Sequence, residues 1–246
     1  MKRPSIPFLG LSILALLLMQ LWVNNLYSQD LPSRSLRVIK CNDFGINGKG
    51  NNPEWEKTSW HPLTRLDSAG ISYATRFKIL YGAKGIYVLF EGDDNRISTT
   101  FNEDFQDLYN ADVFEVFFQP DTTMPLYLEY EINALNKELV LLIPNLTGRA
   151  SGWLPFHYDT KHVEKKVNVV GGKAAMGASI KSWSAELFFP YGIFDPLLNV
   201  PPVSGTVWHA NFYRLDYDSG SMVKWSWAPI ARSFHEYKKF GSIIFE

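Results

Sequence analysis

The feature that most constrains this chain is an alternation of apolar and polar side chains with a period of two, repeated in short runs along nearly its whole length. In Thr75–Tyr81, Phe77, Ile79 and Tyr81 alternate with Arg76 and Lys78, and successive side chains of a strand point to opposite faces of a sheet. Residues 86–91 follow a Gly-containing tetrapeptide, so the two runs predict a hairpin about residues 82–85. Val113–Gln119 is apolar on both faces except at Glu115, which marks a central strand. Beyond a turn at residues 120–125, Leu126, Leu128, Tyr130 and Ile132 share one face of the next strand. Tyr127, Glu129, Glu131 and Asn133 share the other. Comparable runs occupy residues 36–41, 138–143, 162–170, 183–189, 206–215, 222–227 and 242–245, while helical signal is confined to Pro53–Lys57 and Tyr191–Phe194. About eleven short strands divided by turns predict an all-β fold, an antiparallel two-sheet β-sandwich with jelly-roll or immunoglobulin-like layering.

Composition narrows the function classes. Of the 246 residues, 46% are hydrophobic and 15% aromatic, with 17 Gly and 14 Pro, which excludes a collagenous or intrinsically disordered chain. The single cysteine, Cys41, excludes a disulfide framework or a Cys-based metal cluster within the chain. A net charge of −1 provides no basic footprint, so no nucleic-acid partner is expected. Lys2 and Arg3, an apolar run over residues 6–23, and polar Asn24, Asn25 and Ser28 have the layout of a secretory signal peptide spanning residues 1–28. That layout predicts a secreted or periplasmic protein. The alternative is a membrane anchor formed by the same run, which is nearly long enough to span a bilayer. Residues 29–246 contain neither a linker nor a fixed-period repeat and read as one domain.

Several catalytic motifs are missing: there is no G-x-S-x-G elbow, no H-E-x-x-H, no P-loop and no G-x-G-x-x-G after a strand. The five histidines are scattered. Asp93 and Asp94, followed by Asn95, offer hard oxygens suited to a structural calcium ion, although Asp and Asn at a strand end are also ordinary turn chemistry.

The order of short motifs resembles carbohydrate-binding module family 9 and its secreted bacterial relatives, a branch of a wider β-sandwich group that includes haem- and sugar-binding domains. Ile46-Asn47-Gly48 followed by Pro53-Glu54-Trp55 resembles the opening signature, with Asn47 in place of Asp. Thr75–Tyr81 with Ile86-Tyr87-Val88 resembles the first hairpin, and Asp93-Asp94 the acidic pair closing it. Asp112-Val113-Phe114-Glu115-Val116-Phe117 resembles the Asp-x-x-Glu-x-Phe strand, the most specific block, and the next strand ends in Asn133. Trp183-Ser184-Ala185-Glu186-Leu187 with Pro190, Trp208-x-x-Asn211-Phe212-Tyr213-Arg214, Trp225 and Phe240-Gly241 complete the order. The resemblance implies a sugar ring held between two aromatics, at Tyr109 and Phe234 here, with Glu115 as the acid bonding its hydroxyls. The family's basic residue on the following strand is replaced by Glu131, and an amide near the second aromatic by Ala231.

The residues support the same surface on physical grounds, because a sugar needs flat apolar side chains beside a few fixed polar groups. Glu131 and Asn133 on one strand, and Asn211 and Tyr213 on another, are placed to supply such groups. Arg214 points opposite to Asn211 and Tyr213. The bland alternatives are a solvated outer sheet face for these polar residues, and for Glu115 an ion pair with Arg76 or Arg214. Trp55, Trp60, Trp183 and Trp208 are expected in the core. The predicted partner is an oligo- or polysaccharide and the predicted function non-catalytic carbohydrate binding. Two alternatives stand beside it: glycoside hydrolysis by a carboxylate pair such as Glu115 and Glu131, and haem binding through Met124, Met176 or Met222 with a histidine.

Overall fold

Thirteen strands form where the alternation places eleven, joined by two short additions. In chain order they are β1 (Ser35–Lys40), β2 (His61–Pro62), β3 (Thr64–Arg65), β4 (Thr75–Tyr81), β5 (Gly85–Asp93), β6 (Val113–Gln119), β7 (Leu126–Ile132), β8 (Glu138–Pro144), β9 (Glu164–Val170), β10 (Ser182–Pro190), β11 (Val207–Asp216), β12 (Val223–Ser226) and β13 (Gly241–Phe245). The computed structural model describes residues 34–146, 148–155 and 157–246, so the leader predicted at residues 1–28 lies outside the described residues. Both expected helical turns are present as 3₁₀ turns, Pro53–Lys57 and Tyr191–Phe194, together with two more, Leu108–Asn110 and Tyr237–Lys239.

The layering departs from two separate antiparallel sheets. The strands follow one continuous path, β8-β7-β6-β11-β13-β1-β4-β5-β10-β9, with β2, β3 and β12 attached to its sides. The join is β1, which runs parallel to both of its neighbours. Its first part, from Ser35 to Val38, pairs with β13, and Ile39 and Lys40 pair with β4. A strand that changes partner midway turns two sheets into one curled sheet.

The two halves of that sheet pack through aromatic side chains. Phe77 of β4 stacks on Phe212 of β11 at 3.7 Å, and Phe114 of β6 contacts Phe90 of β5 at 5.0 Å and Trp183 of β10 at 3.9 Å. Such pairs contribute about 0.5–1.5 kcal/mol each beyond the area they bury. Trp55, Trp183 and Trp208 are buried as expected. Trp60 is only half-buried, because its ring lies on the outer face of β4 beneath Arg76, 4.3 Å away, and Lys78, 5.1 Å away.

Several family motifs resolve into one piece of masonry. The Glu186 carboxylate accepts hydrogen bonds from the backbone N–H groups of Asn47 and Gly48 at 2.9 and 2.8 Å and from the Trp55 indole at 2.7 Å. Gly48 has φ +85°, and a Cβ there would meet the Val167 backbone at 2.9 Å, so only glycine lets this loop close on the sheet.

The outer face of β6, β7 and β11 is not solvated. Tyr127, Glu129, Glu131 and Asn133 are 0%, 4%, 0% and 0% exposed. The segment between β12 and β13 folds over this face, packing Phe234 and Tyr237 on Phe117, Tyr127, Tyr213 and Phe240 in a second apolar cluster. Asn145, just past β8, fastens that segment by donating to the His235 carbonyl at 2.8 Å.

Candidate functional site

Over the middle of β6 and β7 lies a cleft of about 390 Å³. Strand register builds its floor. Glu115 on β6 stands directly opposite Glu131 on β7, and Phe117 opposite Glu129. On the other side of β6, Tyr213 of β11 stands opposite Glu115. One oxygen from each of Glu115, Glu129 and Glu131 lies within 4.8 Å of the others. Burial lifts all three carboxyls above the ordinary range. Glu115 is pushed up further by the charge of Glu129, and Glu131 by the charges of Glu115 and Glu129. Three acids this close release their protons as a set.

Two aromatic side chains line the cleft beside this floor. Tyr109, in the turn Leu108–Asn110, is 42% exposed, and its carbonyl accepts a hydrogen bond from the Tyr217 hydroxyl at 2.8 Å. Phe234 arrives from the segment between β12 and β13. Its ring stacks on Tyr213 at 4.0 Å and 10°, and the Tyr213 hydroxyl donates to the Phe234 carbonyl at 2.9 Å. One face of Phe234 is thus backed by a fixed ring. Glu236 stiffens the same loop by accepting from the backbone N–H groups of Ala231, Arg232 and Ser233 at 3.0, 2.6 and 3.1 Å. A ring held this way loses little freedom when a ligand stacks on it.

The structure therefore brings Tyr109, Phe234, Glu115 and Glu131 to one cleft, with Tyr213 as backing. It sends the two amides elsewhere. Asn133 closes the turn after β7, its Oδ1 accepting from Leu135 N and Lys137 N and its Nδ2 donating to the Phe101 carbonyl, each at 3.0 Å. Asn211 clamps β11 to the chain after β12, donating to the Ala228 carbonyl at 3.1 Å and accepting from Ala228 N at 2.8 Å. Both are fully buried with their polar atoms used internally, as buried amides generally are. Glu129 and His235 join the cleft and were not among the expected site residues. The alternation that places Glu131 on the outer face of β7 places Glu129 there too, and His235 adjoins Phe234, so both signals were present in the sequence. Burial lowers the His235 pKa; its Nδ1 lies 2.8 Å from the Tyr127 hydroxyl and 3.8 Å from Glu129 Oε2.

Neither arginine expected beside Glu115 pairs with it. Arg76 pairs with Glu91 at 2.6 Å on the opposite half of the sheet. Arg214, on the other face of β11 as its register requires, is wholly buried between Asp94 at 3.1 Å and Asp216 at 2.7 Å.

The acidic pair at the end of β5 is split by its strand geometry. Asp93 is exposed, whereas Asp94 points inward to form a second carboxylate group with Asp112 and Asp216. All six oxygens of that group accept hydrogen bonds. Asp94 takes them from Arg96 N, the Trp183 indole and Arg214, Asp112 from Ser98 N and Tyr217 N, and Asp216 from Asp218 N and Arg214. Calcium needs free carboxylate or carbonyl oxygens, and here a guanidinium and N–H donors hold them. These residues do not fit a calcium site, and Asp93 is not part of the group.

A curled aromatic-cored β-sandwich carrying a shallow cleft with ring walls and a fixed acidic floor defines a ligand-binding module of the carbohydrate-recognising type. The chain belongs to carbohydrate-binding family 9, whose model matches residues 52–245. Among solved structures it is similar to a candidate carbohydrate-binding protein from Bacteroides uniformis, with a TM-score of 0.72 at 17% identity over 87% of this chain and 100% of that one. It is also similar to a family 9 module from Caldicellulosiruptor kristjanssonii in complex with glucose, with a TM-score of 0.62 at 15% identity over 86% and 96% of the two chains. The same bacterium's module in complex with cellotriose gives a TM-score of 0.59 at 15% identity, covering 86% and 94%. A curated relative, the UPF0462 protein C4orf33 homolog of Mus musculus, is 32% identical over 115 residues, 47% of this chain and 50% of that protein. The match thus spans about half the length of that relative.

Proposed function

We propose that this chain is a non-catalytic carbohydrate-binding protein that captures a glycan end between Tyr109 and Phe234, over the carboxylates of Glu115 and Glu129. The observation that carries this reading is the convergence of two aromatics from distant parts of the chain on one cleft, inside a family 9 fold. Aromatic faces match the C–H faces of a pyranose, and the acids accept from its hydroxyls. The solved family 9 module that binds glucose and cellotriose points to the same ligand chemistry. We also propose that residues 1–28 direct the protein to the periplasm or cell exterior, where glycans are met. No helix among the described residues is long and apolar enough to cross a membrane.

Titration calorimetry with a panel of mono- and oligosaccharides, glucose and cellotriose included, tests the binding reading. Phe234→Ala is expected to weaken any complex about tenfold, equivalent to about 1.4 kcal/mol of lost stacking. A flat response across the panel overturns the proposal.

The floor geometry argues against hydrolysis. A glycosidase places its two carboxyls on either side of the scissile bond, about 5–9.5 Å apart, whereas Glu115 and Glu131 stand side by side on neighbouring strands.

A further inference from the structure

Hydroxyl recognition does not by itself call for three carboxyls in one floor. Two of them face each other directly across β6 and β7, and like charges so placed destabilise a sheet. Glu115 Oε1, Glu129 Oε2 and both oxygens of Glu131 accept no well-aligned hydrogen bond, in residues 2%, 4% and 0% exposed; Glu131 has the Tyr109 backbone and the Glu129 carboxyl as its near polar neighbours. Among the described residues no Lys or Arg forms an ion pair with any of the three, although Lys224 and Arg232 line the same cleft. Acceptors left unsatisfied in so buried a place normally cost stability unless something else meets them.

Resting on the saccharide reading above, we propose that the ligand is an amino sugar, its free ammonium seated on Glu115, Glu129 and Glu131 and its ring between Tyr109 and Phe234. An ammonium carries three N–H donors and no acceptor, the complement of three buried carboxyls with unsatisfied oxygens. Three oxygens at about 2.8 Å from one tetrahedral nitrogen stand roughly 4.6 Å from each other, inside the 4.8 Å limit that the three floor oxygens satisfy. In that arrangement the C–N bond rises from the floor into the cleft and carries the ring to the aromatic side chains, whose faces match its C–H faces. A bare calcium ion fits less well. It takes six to eight oxygen ligands, and much of the lining above the floor is hydrocarbon from Leu141, Ile143, Leu215 and Met222.

The test is calorimetry on the purified full chain with glucose, glucosamine, N-acetylglucosamine and the glucosamine isomers bearing the amine at the third or sixth carbon. At least one free-amine sugar is expected to bind about tenfold or more tighter than glucose and N-acetylglucosamine, since charge-assisted hydrogen bonds are the stronger kind. Glu131→Gln and Glu115→Gln should each shrink that preference while leaving the thermal unfolding midpoint as high as the parent's or higher. Glucose binding as tightly as every amine overturns the inference and leaves saccharide binding standing. Neutral-sugar binding that requires added calcium overturns it in favour of a divalent cation. No binding by any sugar removes both readings together.

Discussion

Asp94, Asp112 and Asp216 form one buried carboxylate triad and Glu115, Glu129 and Glu131 another, one on each face of β6 and β11. Asp94 and Asp216 of the first group pair with Arg214, and every oxygen of that group accepts a hydrogen bond. The glutamate group encloses no cation, and four of its oxygens accept no well-aligned hydrogen bond. Burial desolvates both groups, the glutamates the more deeply, yet only the first is compensated from within the chain. A compensated cluster holds the fold together. An uncompensated one beside an open cleft is held ready for something from outside, at some expense of stability.

That contrast can be broken in three ways, beginning with the largest effect. Replacing Arg214 by Met strands Asp94 and Asp216 in the core, and chemical denaturation should show a loss of about 3–5 kcal/mol, the usual penalty for removing one partner of a buried pair. A loss below about 1 kcal/mol would show that the aspartates neutralise themselves and that the two clusters are alike.

The second is pH. Burial, with help from neighbouring charges, raises Asp94 to about 7 and Asp112 to about 8, and Glu115, Glu129 and Glu131 move in the same direction. Acids whose folded pKa is raised keep protons that the unfolded chain releases, so stability falls as pH rises from the unfolded range near 4 through the folded values. The unfolding midpoint should therefore climb as pH is lowered from about 9 to 6.5, by roughly 2–4 °C per kcal/mol regained. Below that, His61, His209 and His235, whose pKa values are lowered by burial, oppose the trend. A midpoint independent of pH over this range would contradict the charge state drawn here for both clusters.

The smallest effect separates them most sharply. Asp216→Asn and Glu131→Gln make the same chemical change, yet the first should destabilise by about 1–3 kcal/mol through lost bonds to Arg214. The second should be neutral or stabilising by about 1 kcal/mol, because it removes a buried acid whose ionisation burial and its neighbours oppose. Equal losses in both would mean that the glutamate floor is as structural as the aspartate one.

Alternation with a period of two is written in the chain and survives folding, so the strands at Thr75–Tyr81 and Val113–Gln119 and the turns at Pro53–Lys57 and Tyr191–Phe194 were legible residue by residue. Tyr109, Phe234, Glu115 and Glu131 were legible too, through a motif order that repeats a known family. Asn133 and Asn211 misled because an amide on a strand reads the same whether it meets a ligand, closes a turn or clamps a neighbouring segment. Asp93 misled because a one-residue step on a strand reverses the direction of the side chain, leaving it exposed beside its buried neighbour Asp94.

The sequence alone determined the eleven longer strands and which side of each strand a residue takes, since both follow from local sterics and the pleat, whereas β2 and β3 arise from pairing. Only the tertiary structure decided which side is covered. The outer face of β7 became a buried floor because Phe234, His235 and Tyr237, roughly a hundred residues later, fold across it. It likewise decided which acids receive a cation, because Arg214 reaches Asp94 through the packing of β11 against β5, whereas Glu115 faces a cleft where, among the described residues, no arginine or lysine pairs with it. Charge compensation acts over a few ångströms in space, and separation along the chain carries no record of that distance.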